Sequence, residues 1–266
     1  MRQGMGEQVN VLVGRVVVIG LALLAWEVLA GGLGSGLRTV DPVLFSRPSR
    51  IAVDLYSGFA GGQFTEDLLF TLQAAMSGLV LGMATGMVAG FVFAYNKRVG
   101  RLFDPIMAAF NSLPRPALGP VLMLIFGLGM TSKVLLSWSI VFFVVFYNTY
   151  QGGTELSQTL TSSCRILGAS PRQLLRTVVL PSALGWAFAA FPAAIGFALI
   201  GVVVAEFFGS PVGLGFIVVT SMNTGTGTDL MLAIAVLATI GAGLVALMSW
   251  AERRVLHWRP EHRAVA

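Results

Sequence analysis

Six long apolar runs, parted by short polar breaks, set the plan of this chain. They lie at residues 10–31, 67–95, 105–128, 133–151, 183–207 and 229–250. A helix rises about 1.5 Å per residue, so about 20 mainly apolar residues cross a hydrocarbon core of roughly 30 Å. The pattern predicts an all-α, polytopic membrane protein of about six transmembrane helices, organised as one domain over residues 1–266. The first run has Arg2 and Arg15 but no clean small-residue cleavage site, so it reads as a retained anchor. Residues 32–66 read as a mixed polar loop, and 208–228 as a short re-entrant element over the outer mouth.

The second run carries a ladder of small residues. Ala74, Gly78, Gly82, Gly86, Gly90 and Ala94 recur every four residues, leaving one helix face almost bare backbone. Lipid gives no hydrophobic gain for helix association, so close backbone approach must supply it. The face is expected to pack on another helix, in this subunit or a second copy; lining a pathway is the other reading.

The third run is broken by Pro114, Pro116 and Pro120. Prolines remove backbone donors and free carbonyls, which the hydrocarbon region tolerates only against protein or a wet cavity. Asn111, Ser112 and Arg115 fall in the same stretch. An intramembrane arginine calls for a partner or a function. Either Arg115 gives a pathway a positive potential, or it snorkels or pairs with a freed carbonyl. Glu206, at the end of the fifth run, either lines an outer gate or sits at the interface. Asn111, Arg115, Asn148 and Glu206 form the candidate pathway set.

Composition agrees with the pattern. The chain is 56% hydrophobic and 11% charged, where soluble domains carry roughly 25% charged residues. Its net charge of +5 is unevenly placed. With the N-terminus inside, the cytoplasmic segments collect Arg2, Arg15, Lys97, Arg98, Arg101, Arg165, Arg172, Arg176, Arg253, Arg254, Arg259 and Arg263. The outer segments collect Arg38, Arg47, Arg50 and Lys133. The bias predicts cytoplasmic N- and C-termini.

Enzyme chemistry is not visible. No G-x-x-x-x-G-K-[ST] loop occurs, and the only histidines, His257 and His262, lie in the tail. One cysteine, Cys164, excludes an intrachain disulfide and a multi-cysteine metal site. No catalytic residue, metal site or resident cofactor is expected, and no proton-relay chain crosses the runs. Any energy for transport comes from elsewhere, or transport is passive.

The most informative break is 161–181, TSSCRILGASPRQLLRTVVLP. A return across the membrane needs only a few residues, and this one is long, basic and structured. A helix over 156–168 is expected to end near Gly168. Ser170, with Pro171 next and Gln173 three on, forms a capped start for a second helix. Leu167, Leu174, Leu175 and Val178 make its apolar face, Arg165, Arg172 and Arg176 a polar one, and Pro181 stops it. Such an element either lies on the membrane or fills a groove on a partner.

This stretch resembles the cytoplasmic coupling loop of ABC importer permeases. Ser162, Ser163 and Cys164 stand at the leading Glu-Ala-Ala positions, Gly168 at the glycine, and Val178, Leu180 and Pro181 at the Ile-x-Leu-Pro end. Ser162 replaces the family's glutamate, so Arg165 or Arg172 carries more of any polar contact. LPRPALGPVLMLIFGLGMTSK at 113–133 and VVVAEFFGSPVGLGF at 202–216 resemble the nitrate, sulfonate, taurine and pyrimidine-precursor branch.

The resemblance implies a permease subunit of the bacterial inner membrane, importing a small anionic solute, with 157–181 as its coupling loop. It implies Ser162, Ser163, Cys164, Arg165, Gly168, Ala169, Ser170, Pro171, Arg172, Leu180 and Pro181 as ATPase-coupling residues. The implied partners are a second, identical permease subunit, two ATPase subunits holding ATP and Mg, and a periplasmic binding protein. Surrounding lipid is expected and nucleic acid is not. The alternative is an ATP-independent channel or secondary carrier.

Overall fold

In a computed structural model the chain is helical throughout residues 2–31, 46–60, 64–154 and 158–255, the residues the structure describes, apart from short turns. Its helices are α1 (Arg2–Gly31), α2 (Pro48–Ala60), α3 (Thr65–Tyr95), α4 (Lys97–Asn111), a 3₁₀ turn (Arg115–Ala117), α5 (Leu118–Phe126) and α6 (Met130–Thr154). There follow α7 (Gln158–Ile166), α8 (Pro171–Leu174), a π turn (Leu175–Val179), α9 (Leu180–Ala189), α10 (Phe191–Phe207), α11 (Leu214–Thr224) and α12 (Gly227–Val255). Two compact units divide them: Met1–Thr65 with Ile217–Val236, and Glu66–Phe216 with Leu237–Ala266. The tail histidines lie outside the described residues.

Among the described residues, α3, α6 and the Gly227–Trp250 part of α12 are long and apolar enough to cross a membrane. The pair Pro171–Ala189 and Phe191–Phe207, bent by 48°, makes one further broken span. Two expectations change. The loop at 32–66 contains a helix, α2. The third run is not one span: Pro114 and Pro116 end the ladder of α4 at Asn111 and force a 3₁₀ turn before the nine-residue α5. Residues 208–228, expected as a short re-entrant element, hold the 11-residue α11.

In the first unit, Glu27 of α1 receives the backbone N–H of Ser49 at 3.0 Å and its hydroxyl at 2.7 Å. A carboxylate thereby caps the N-terminus of α2, where free N–H groups and the helix dipole favour negative charge.

The second unit is built on the small-residue ladder. A Cβ on Gly82 would stand 2.6 Å from Val141 Cβ, one on Gly86 2.8 Å from Phe142 O, and one on Gly90 2.7 Å from Phe146 O. The ladder therefore packs inside the subunit, backbone to backbone on α6. Gly201 of α10 meets α6 at Ser137, whose hydroxyl donates to Ala198 O at 3.1 Å. Leu79, Val141, Val145, Ala194, Ile195 and Ala198 form the core between these three helices. Many large apolar side chains face outward, Val88, Leu124 and Ile125 among them, as suits a chain whose solvent there is hydrocarbon.

Candidate functional site

The loop between α6 and α9 is locked at both of its helix ends. After α7, Gly168 takes φ +84°, the left-handed conformation that glycine adopts without strain. Gly168 N–H donates to Arg165 O at 3.0 Å and Ala169 N–H to Cys164 O at 2.9 Å, the paired bonds of a Schellman terminus. Two residues on, Gln173 N–H donates to Ser170 Oγ at 3.3 Å and Ser170 N–H to Gln173 Oε1 at 2.8 Å, a complete capping box with Pro171 at the first helical position.

These locks present a tip. Ile166 is 85% exposed and Leu167 86%. Ser162, Ser163, Arg165, Gly168, Ser170, Pro171 and Arg172 are also exposed, while Cys164, Ala169, Leu180 and Pro181 are half-buried. The expected single apolar face does not exist. Leu174 is buried and Leu175 and Val178 half-buried, whereas Leu167, on the far side of the Gly168 turn, points out. Ile166, which sequence reasoning passed over, belongs with Leu167; its place beside a left-handed glycine was the available signal.

Pro181 does not stop the second helix. From Pro171 to Ala189 the backbone is continuous through the π turn, in which Leu180 N–H reaches back to Leu175 O. Pro181 has no N–H to offer, and the widened turn accommodates the missing bond. The expected fifth run, 183–207, thus starts at the loop itself. It bends at Ala190, just before Pro192, whose ring and missing donor account for the 48° change of direction.

Of the pathway candidates, Arg115 sits at the 3₁₀ turn. It donates to Phe110 O at 2.8 Å and to Ser139 O at 3.4 Å, and its guanidinium carbon lies 4.0 Å from the centre of the Phe143 ring. The carbonyl of Phe110 is the one that Pro114 cannot engage. Asn111 is exposed at the end of α4, and Asn148 donates to Val144 O in its own helix at 2.8 Å. The structure does not bring Asn111 and Asn148 into a hydrogen-bonded set with Arg115.

Glu206 lies apart, in a closed polar knot, and is 1% exposed. It accepts the Thr71 hydroxyl at 2.7 Å and the Gly215 N–H at 2.6 Å. Thr71 Oγ1 also accepts Leu214 N–H at 2.9 Å, and Asp67 accepts Gly213 N–H at 2.6 Å. The knot ties the segment after α10 to the first turns of α3. Lys133, counted above as an outward charge, is instead fully buried and donates to Leu128 O.

Helices long and apolar enough to span, a bent span and a capped loop with an exposed apolar tip define a multi-pass membrane protein. Residues 78–257, more than half of the chain, match the family described as "binding-protein-dependent transport system inner membrane component". The chain belongs to that family and is an ABC importer permease of type I. It is similar to SsuC of Bacillus subtilis, named for aliphatic sulfonate transport: 29% identical over 234 residues, 88% of this chain and 83% of that protein. It is also similar to RibX of Chloroflexus aurantiacus, a riboflavin transport system permease: 29% identical over 245 residues, 92% of this chain and 90% of that one. Among solved structures, a chain of the MetNI methionine ABC transporter in an inward-facing conformation aligns with a TM-score of 0.59. The match covers 75% of this chain and 94% of that one at 21% identity, and it shows a shared fold.

Proposed function

We propose that this chain and a second copy of it form the translocation pathway of an ATP-driven importer in a bacterial inner membrane. Its solute is a small anion of sulfonate, taurine or nitrate type, delivered by a periplasmic binding protein. Residues 157–181 of each copy seat in a groove on a cytoplasmic ATPase subunit, which holds the ATP and Mg.

The observation that carries this reading is the Ile166–Leu167 tip, held out by a Schellman turn on one side and a capping box on the other. An apolar pair raised from a basic surface is poorly placed in water and well placed in a partner's groove. The helix from Pro171 to Ala189 then acts as a lever. When the ATPases close, motion of the tip passes along it to the bend at Ala190 and into α10, which is packed on α6. The anionic class follows the sulfonate relative, and Arg115, already engaged with Phe110 O and Ser139 O, is tested separately.

The test is copurification with a co-expressed ATPase. Ile166→Glu with Leu167→Glu should lower ATPase recovery about tenfold, as for a central interface anchor. Gly168→Trp, strained at φ +84°, should abolish ATP-dependent uptake. If either variant assembles and transports normally, the docking role is wrong. Uptake that persists without ATP favours a channel or secondary carrier instead. For the solute, Arg115→Ala should reduce uptake of an anion while the complex still assembles; normal uptake makes Arg115 a structural residue.

A further inference from the structure

A cavity of about 600 Å³ is lined in part by the loop, at Arg165, Ala169 and Pro171, without Ile166 or Leu167. Its walls come from the C-terminal ends of α3 and α6, the start of α4, the end of α7 and the helix that begins at Pro171. Two arginines line it, Arg101 of α4 and Arg165 of α7, together with the aromatic rings of Tyr95 and Tyr150. The apolar part of its wall includes Phe93, Leu174, Leu175 and Val179. Neither guanidinium meets a carboxylate among the described residues, where the ion pair Arg50–Asp54 stands elsewhere in the chain. Beside it, Gly100 lets α4 approach the ends of α3 and α6: a Cβ there would lie 2.9 Å from Phe93 O and 3.1 Å from the Tyr150 hydroxyl.

We propose that this cavity binds the phosphate-bearing headgroup of an anionic phospholipid, with Arg101 and Arg165 on the phosphate and the apolar wall against the glyceride end. Two cations with no carboxylate partner among the described residues of one cavity suit an anion, and guanidinium groups match phosphate oxygens in geometry as well as charge. The place fits a lipid. Tyr95 and Thr154 are the last residues of two spanning helices, so the cavity sits where those helices leave the bilayer. Basic pockets at such boundaries hold anionic headgroups, and one with a polar and an apolar wall suits an amphiphile better than a bare ion. The site is built partly from the loop, so its occupant would brace α7 and the Pro171 helix against the ends of α3 and α6. It stands whether or not the tip docks on an ATPase.

The full chain, purified in detergent and equilibrated with phosphatidylglycerol or phosphatidylcholine, tests this by native mass spectrometry. Phosphatidylglycerol should be retained about tenfold better than phosphatidylcholine. Arg101→Gln with Arg165→Gln should erase that preference, Arg101→Lys with Arg165→Lys should keep most of it, and Arg176→Gln, outside the cavity, should leave it unchanged. Displacement of the lipid by millimolar inorganic phosphate identifies a site for the phosphate group alone, and retention through that challenge identifies the whole headgroup. Equal retention of the two lipids overturns the proposal. So does full retention by the double Gln variant, or an equal loss with Arg176→Gln. ATPase copurification is read separately and does not enter this result.

Discussion

Glu206 shows how one side chain organises a segment far from it in sequence. Its carboxylate takes a hydroxyl from Thr71 and a backbone N–H from Gly215, and both donors are buried with it. Glu206→Ala would strand them, and each unsatisfied buried donor costs about 1–3 kcal/mol. We expect that variant to lose about 2–4 kcal/mol of stability in detergent unfolding, with Glu206→Gln losing less because its amide oxygen still accepts one bond. Equal stability of Glu206→Ala and the parent chain would remove the knot from the list of supports. The sequence shows a carboxylate at a run's end but not this geometry, because its partners lie 135 and 9 residues away. Lys133 was illegible for the same reason: a lysine at a turn reads as a solvent charge until tertiary packing closes over it. Arg115 was partly legible, since the prolines that free the Phe110 carbonyl are themselves in view.

Elements with a strict period were the readable ones. The four-residue ladder of α3 declared a close helix contact, and the structure supplies α6 as its partner. A Cβ on Gly86 would lie 2.8 Å from Phe142 O and 3.1 Å from Phe146 N, both inside van der Waals contact, so a side chain there has no room. Gly86→Ile should therefore prevent stable folding, seen as loss of the monodisperse species in size-exclusion chromatography. The same change at Gly14, which meets nothing within 4 Å, should be tolerated at that level. The cap at Ser170 was readable because its signal is local, three residues long and chemically specific. The break in the third run was legible from its prolines, but its bounds were not: α4 starts at Lys97, in what reads as a basic turn, and keeps Arg98, Arg101 and Asp104 on an amphipathic helix, while α5 is too short to span. The continuous course from Pro171 to Ala189 was not visible either. A proline usually marks an end, and only the π turn reveals that this one does not.

At the scale of the whole molecule, the proposed mechanism requires the loop to face the ATPases and the segment after α10 to face the binding protein. The chain carries its own reporter for this arrangement. Cys164 is the single cysteine, it lies in α7 beside the tip, and it is partly accessible. An impermeant maleimide should leave it unmodified in intact spheroplasts and label it in inside-out vesicles. Asn223, exposed in α11, offers the converse: in a Cys164→Ser background, Asn223→Cys should label from the opposite side only. Binding of the ATPase should also slow labelling of Cys164, because the groove that takes Ile166 and Leu167 covers the neighbouring turn of α7. Labelling of Cys164 in intact spheroplasts would invert the topology that the arginine distribution predicts and place the loop on the wrong side for any cytoplasmic ATPase. Correct sidedness without protection would keep the topology and move the docking surface away from the tip.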